Sequence, residues 1–303
     1  MLRGRFSNLV FLALFAVVIV LGFGCGDEPP VPLGSKLSVP PRFTYPLEIG
    51  NRWSYNGVFT MINCEPDTAC SLEHYSAHFT SVVEIESVDT FMDTLETYKF
   101  HETLTEHRYD TVPNGETVYH TYNYFRNASD GFYWHASSGP NTRVSPVKLH
   151  PDVLFLFRGQ RYSTIQEIFQ KIERTPRLAG VAADTPNYND PPPLCLRYPL
   201  AVGSQWSFRE DCDPWCMDKK ILSWKSISVF MQEFDCYDIR WLWDMDDDGQ
   251  WDDDIERHDY LAEIGLVTRA TIFRDIVATT VTGDTLGIFD VWEAFYLTDY
   301  HLE

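Results

Sequence analysis

The phrase YPLEIGNRWSY at residues 45–55 returns as YPLAVGSQWSF at 198–208, with six of the eleven positions identical. This repetition constrains the fold more than any other feature of the chain. Pro46 and Pro199 fix an extended entry, because the pyrrolidine ring locks φ and biases the preceding residue away from helix. Gly50 and Gly203 supply a tight turn that only glycine makes cheaply. Trp53/Tyr55 and Trp206/Phe208 are spaced by two, which places both aromatics of each pair on one face of a strand. The phrase is a strand opener, and its aromatics belong in a core.

The parallel extends beyond each phrase. Cys64 and Cys70 bracket EPDTA, and Cys212 and Cys216 bracket DPW. Alternating runs come next. SVVEIESV places Val83 and Ile85 on one face, and WKSISVF places Trp224, Ser226 and Ser228 opposite Ile227 and Val229. FDCYDIRWLWD lines one face with Tyr237, Ile239, Trp241 and Trp243. Period two with turn residues between the runs predicts antiparallel strands in a meander. The expected fold is therefore all-β and mainly antiparallel, built as two tandem duplicated β-meander modules over 43–190 and 191–303. Their join falls in the Pro-rich stretch 187–194. One segment departs from the pattern: Ile165, Ile168, Phe169 and Ile172 recur at helical spacing. Thr164 with Glu167 forms a capping-box signature, and Pro176 forbids continuation. A helix over 164–174, covering the sheet of the first module, is predicted.

Arg3 and Arg5 precede an apolar run from Leu9 to Leu21, too short to span a bilayer and suited to a secretory signal. The run ends in LGFGC, after which the composition turns Pro-, Gly- and Ser-rich. Cys25 in this position resembles the lipobox of bacterial lipoproteins. The resemblance implies a signal peptide over 1–24, diacylation of Cys25 as the mature N-terminus, and a flexible tether over 25–42. The alternative is ordinary secretion with cleavage nearby. The phrase YPL..G..WSY, together with YLAEIGLVTRA at 260–270, resembles bacterial surface lipoproteins of no assigned activity. That implies β-rich exported modules in the cell envelope, anchored in the membrane through the N-terminal lipid, with the outer membrane favoured. A meander covered by a helix is also similar, at the level of fold, to the open half-barrel of lipoprotein carriers.

Beyond Cys25 the chain has six cysteines, an even number that in an exported protein reads as disulfides. Cys64–Cys70 and Cys212–Cys216 are expected as local staples, leaving Cys195–Cys236. Removing residues 1–24 takes away two Arg and no acid, so the formal charge moves from −20 to −22. Such a surplus excludes nucleic acid and anionic membrane surfaces as partners and suits divalent cations.

The strongest local signal is DMDDDGQWDDD at 244–254, seven Asp in eleven positions. Like charges at this density repel one another unless something gathers them. The carboxylates of Asp244, Asp246 and Asp248, the carbonyl of Gln250 and the carboxylate of Asp252 recur at the spacing a hard cation needs, and Gly249 allows the sharp turn. The pattern resembles D-x-D-x-D-G calcium loops, except that Ile255 stands where a bidentate Glu closes such loops. A weak Ca2+ site at a hairpin tip is expected; the alternative is a solvated acidic turn. The histidines are less suggestive: His74 and His78 are well separated along a strand, and HETLTEH at 101–107 is not H-E-x-x-H and does not bring two imidazoles together on a helix. No nucleophile elbow, phosphate loop or S-x-x-K motif is present. The expected function is a non-enzymatic binding or structural module stabilised by calcium, taking a glycan, lipid or protein ligand. An envelope-polymer hydrolase using scattered carboxylates, or a lipid carrier with a concave apolar face, are the competing readings. Exposure of Trp134, Trp215 and Trp251 on a common platform would favour a glycan.

Overall fold

Period-two alternation is realised along most of the described residues. In a computed structural model, residues 42–71, 77–91, 95–108, 115–138, 152–173, 186–209, 212 and 215–303 are described. Cys25, the tether up to residue 41 and His74 lie outside them. The strands are β1 Arg52–Glu65, β2 Ala77–Phe91, β3 Leu95–Arg108, β4 Gly115–Asn127, β5 Gly131–Ser138, β6 Val153–Phe157, β7 Gln160–Tyr162, β8 Asn187–Tyr188 and β9 Leu194–Arg197. They continue as β10 Gln205–Ser207, β11 Cys216–Val229, β12 Gln232–Asp244, β13 Ile255–Ala262, β14 Gly265–Thr280 and β15 Thr285–His301. Among the described residues, one α-helix, α1, spans Ile165–Glu173.

These strands form a single antiparallel sheet in the order β10-β11-β12-β13-β14-β15-β1-β2-β3-β4-β5-β8, with β9 also on β5 and the β6–β7 hairpin on β14. The C-terminal strand closes the gap between the two halves of the sequence. β15 pairs with β1 from Arg52↔His301 to Glu65↔Ile288. The two expected modules are thus halves of one sheet, and Pro40–Glu303 is one compact unit. The sheet stays open. Its two ends approach where Leu194 N donates to Phe208 O at 3.1 Å, and no ladder joins β9 to β10 among the described residues.

The repeated phrase has the same local geometry in both halves. Gly50 and Gly203 take positive φ of 97° and 87°. Their amides donate to Ile85 O and Ile221 O, while the amides of Ile85 and Ile221 return bonds to Asn51 O and Ser204 O. Each opener thus leads into a strand, β1 or β10, and docks it on the next, β2 or β11. The phrases also touch: the Tyr198 hydroxyl accepts from Tyr45 N at 2.8 Å and donates to Asn127 Oδ1 at 2.7 Å.

Residues facing inward fall into two apolar layers. One holds Trp53, Tyr55, Ile85, Phe100, Phe132, Leu196, Trp206, Ile221, Tyr237 and Ile239. Because this cluster draws on strands from both ends of the sheet, the sheet must curl around it. The other holds Phe59, Phe79, Phe155, Trp241, Trp243, Phe273 and Phe289, capped by Ile165, Ile168, Phe169 and Ile172 of α1. Thr164 caps the helix, its Oγ1 accepting from Glu167 N, but the Glu167 carboxylate accepts from Ser163 N instead of closing the expected capping box on Thr164 N. The helix covers both halves, since Phe169 lies 5.1 Å from Phe59 and 4.2 Å from Phe273 between ring centroids.

Cys64–Cys70 and Cys212–Cys216 are disulfides. The expected Cys195–Cys236 bond is not present, and both are free thiols. Strand parity explains the difference. Tyr237 points into the curled interior, so its neighbour Cys236 points out, into a small outer cluster with Val229, Ala262 and Val267. Cys195 packs inside against the two interior layers.

Candidate functional site

The acidic stretch is the turn between β12 and β13. Asp244, the last residue of β12, is buried, and its two oxygens accept from Asp248 N at 3.2 Å and Gly249 N at 3.0 Å. Asp248 in turn accepts from the amide and the side chain of Gln250. Positive φ at Asp247 (58°) and Gly249 (79°) gives the turn its sharpness. One carboxylate oxygen from each of Asp244, Asp246 and Asp248 lies within 4.8 Å of the others, close enough to share a cation. Asp252 does not join them. It accepts from Met245 N at 3.0 Å and pairs with Arg158.

Sequence spacing does not point to Arg158. It sits in the turn between β6 and β7, and its guanidinium also reaches Asp246 and Asp254, each at 3.5 Å. Burial works against the Arg158 charge, but the hydrogen bond to Asp252 and the charges of the three carboxylates outweigh it and raise its pKa. Burial pushes Asp254 up, and Arg158 only partly offsets this. Part of the repulsion within the acidic turn is therefore relieved by the chain itself. Nothing local marks Arg158: it lies 88 residues from Asp246, and the β6–β14 ladder delivers it.

A second group of charges lies inside the curled sheet, between the two apolar layers. Asp259 accepts from Arg269 Nε at 2.6 Å and NH2 at 3.0 Å, and from Trp241 Nε1 at 2.8 Å. Arg257 Nε donates to Thr271 Oγ1. Lys219 Nζ lies 3.8 Å from the Trp241 ring centroid and donates to Cys195 O at 3.1 Å. Burial pushes Asp259 up, yet the Arg269 charge and hydrogen bonds dominate and hold it at about 2. Burial drives Lys219 down to about 8 and the Cys195 thiol up to about 11. A lysine so shifted has the pKa of a nucleophile, but this one is 4% exposed and enclosed by the Trp241 and Phe208 rings. Strand parity in the sequence could have found this layer. Lys219 shares parity with Met217 and Ile221, and Arg257 and Asp259 share it with Ile255 and Leu261. All of these positions are buried.

The three tryptophans that could have formed a platform are in different settings. Trp215 is buried, Trp251 is exposed on the acidic turn, and Trp134 is half-buried with Nε1 donating to Ala136 O. A cleft of about 770 Å³ beside the chain entrance is lined by Tyr45, Glu48, Glu96, Tyr98, Arg126 and Asn127, among others.

No protein-family model matches this chain, and no curated protein matches it. Similar solved structures include a protein described as exported, with a YmcC-like fold, from Bacteroides fragilis NCTC 9343. It is 8% identical with a TM-score of 0.29, over 86% of this chain and 99% of that one. Another is a protein described as a lipoprotein from Parabacteroides distasonis ATCC 8503, 9% identical with a TM-score of 0.28, over 86% and 99% of the two chains. At TM-scores this low, neither match informs fold or function.

Proposed function

We propose that this protein is a lipid-anchored, exported component of the bacterial cell envelope, in the outer membrane, whose folded part is a non-enzymatic binding or structural module stabilised by calcium. The convergence of Asp244, Asp246 and Asp248 at the β12–β13 turn carries the calcium reading. Three carboxylates from one turn, with water or main-chain carbonyls, suit a hard cation that takes oxygen ligands. Arg158 leaves this trio only partly compensated. The signal-like N-terminus with Cys25, and two disulfides in the folded part, support export. The interior speaks for a structural module over a lipid carrier. The aromatic residues that would line a concave lipid-binding face, such as Trp53, Phe100 and Tyr237, are at most 4% exposed and pack on one another.

The test begins with chelated protein. Millimolar calcium should raise the melting temperature, because a site filled at a hundred times its dissociation constant adds about 2.7 kcal/mol. The double variant Asp246→Ala/Asp248→Ala should fold but lose that response. An unchanged melting temperature in the wild type would reduce the stretch to an acidic turn. Separately, Cys25→Ser should move the protein out of the membrane fraction, and wild-type fractionation of that variant would remove the anchor from the proposal.

A further inference from the structure

The outer face of β2, β3 and β4 carries a group that no spacing in the sequence announces. His101 on β3 and His120 on β4 are 19 residues apart, yet His101 Nε2 and His120 Nδ1 face each other at 3.0 Å. The register explains the meeting. Thr103 is opposite His120 and His101 is opposite Tyr122, so the two histidines are diagonal neighbours across an antiparallel ladder. Diagonal pairs are within reach of aromatic side chains. The Thr103 hydroxyl completes the group, 3.5 Å from His101 Nε2 and 3.4 Å from His120 Nδ1.

The surroundings hold the His101 ring in place. Glu86 Oε1 lies 2.6 Å from His101 Nδ1, and Lys99 Nζ lies 3.1 Å from Glu86 Oε2. Tyr122 stacks on the His101 ring at 4.6 Å, and Lys99 in turn sits 4.2 Å over Tyr122. The Glu86 carboxylate accepts from His101 Nδ1. With the proton on Nδ1, His101 Nε2 is the lone-pair nitrogen and accepts from His120 Nδ1.

We propose that His101 and His120 form a chelating site for a divalent transition-metal ion of the zinc class. A zinc ion holds imidazole nitrogens at about 2.0–2.1 Å, so two ligands subtending about 90–110° stand about 2.9–3.4 Å apart. The observed separation of 3.0 Å falls within that range. Imidazole pairs select zinc, copper or nickel over calcium, which takes oxygen ligands. Glu86 plays the part of the outer carboxylate that orients a metal-bound histidine and raises its basicity. His120 is exposed and His101 partly so, which leaves room for water or a partner's ligand on the ion. The site is independent of the calcium turn and of the lipid anchor.

The experiment is a calorimetric titration of chelated protein with zinc chloride. The wild type should bind one equivalent. His120→Ala and His101→Ala should each weaken binding at least tenfold. Glu86→Gln, which touches no metal ligand atom except through His101, should weaken it by about 10–100-fold. Asp246→Ala/Asp248→Ala should bind zinc like wild type, which separates this site from the acidic turn. Equal zinc affinity in wild type and His120→Ala would overturn the proposal, as would loss of binding only in the aspartate variant. A measurement free of mutation is the imidazole nitrogen NMR spectrum. Zinc should shift His101 Nε2 and His120 Nδ1 while His101 Nδ1 keeps its proton, and an unchanged spectrum at saturating zinc would overturn the site.

Discussion

Replacing Arg158 by Met tests the electrostatics of the acidic turn directly. The substitution keeps much of the apolar stem and removes the guanidinium that pairs with Asp246, Asp252 and Asp254. The three pairs differ in exposure. The Asp246 side chain is 60% exposed, and such a pair contributes at most about 1 kcal/mol because solvent screens it. The Asp252 side chain is 8% exposed, and removing the partner of a buried charge costs about 3–5 kcal/mol when burial is complete. Arg158 is itself 19% exposed, which moves the sum below that range. A net loss of about 2–3 kcal/mol is expected in chelator. For a unit of this size each kcal/mol lowers the melting temperature by about 2–4 °C, so the variant should melt about 4–12 °C lower. Because the main pair is shielded from solvent, about 0.5 M NaCl should recover little of the loss. Scanning calorimetry at neutral pH with and without calcium reads both effects. With the positive charge gone, the carboxylate trio should hold calcium more tightly, so the calcium-induced rise should be larger in Arg158→Met than in wild type. A loss below about 0.5 kcal/mol would refute the pairing energetics. A smaller calcium response than wild type would refute the competition between Arg158 and the cation.

The Lys219 charge should leave a pH signature. Its folded pKa of about 8 lies below the ordinary 10.5, so between these values the unfolded chain binds the proton more readily, and stability rises with pH across that window. The change corresponds to about 3 kcal/mol at most. Urea unfolding at about pH 7.5 and pH 10 should show the wild type gaining on Lys219→Met, while the buried Cys195 and tyrosines act on both; a pH-independent difference between the two proteins would refute the assignment. At the β11–β12 turn, Met231 takes a φ of 70° and is fully exposed. Met231→Gly removes the steric cost of that conformation and no packing, so a gain of about 0.5–1 kcal/mol in thermal unfolding is expected; a loss would show that the turn is held by contacts of the side chain.

The sequence by itself determined what lies within a few residues along the chain. Backbone geometry imposes period two, so Trp53/Tyr55 and the Tyr237–Trp243 stripe were legible as inward faces. The openers were legible because Gly50 and Gly203 must turn at positive φ. The capping of α1 at Thr164, the two short disulfides and the gathering of Asp244, Asp246 and Asp248 are local for the same reason. Tertiary structure decided which strand lies beside which. β15 closes on β1 although their partners are more than 200 residues apart in sequence. Loop closure costs little more for a long loop than for a medium one, so sequence distance does not select the pairing. The selection comes from burying inward faces of both halves in common layers, a sum over many strands that no window of sequence contains. That sum turned Cys195 and Cys236 to opposite faces and brought Arg158 to the acidic turn. It enclosed Lys219 with Asp259 and Arg269, and it set His101 against His120.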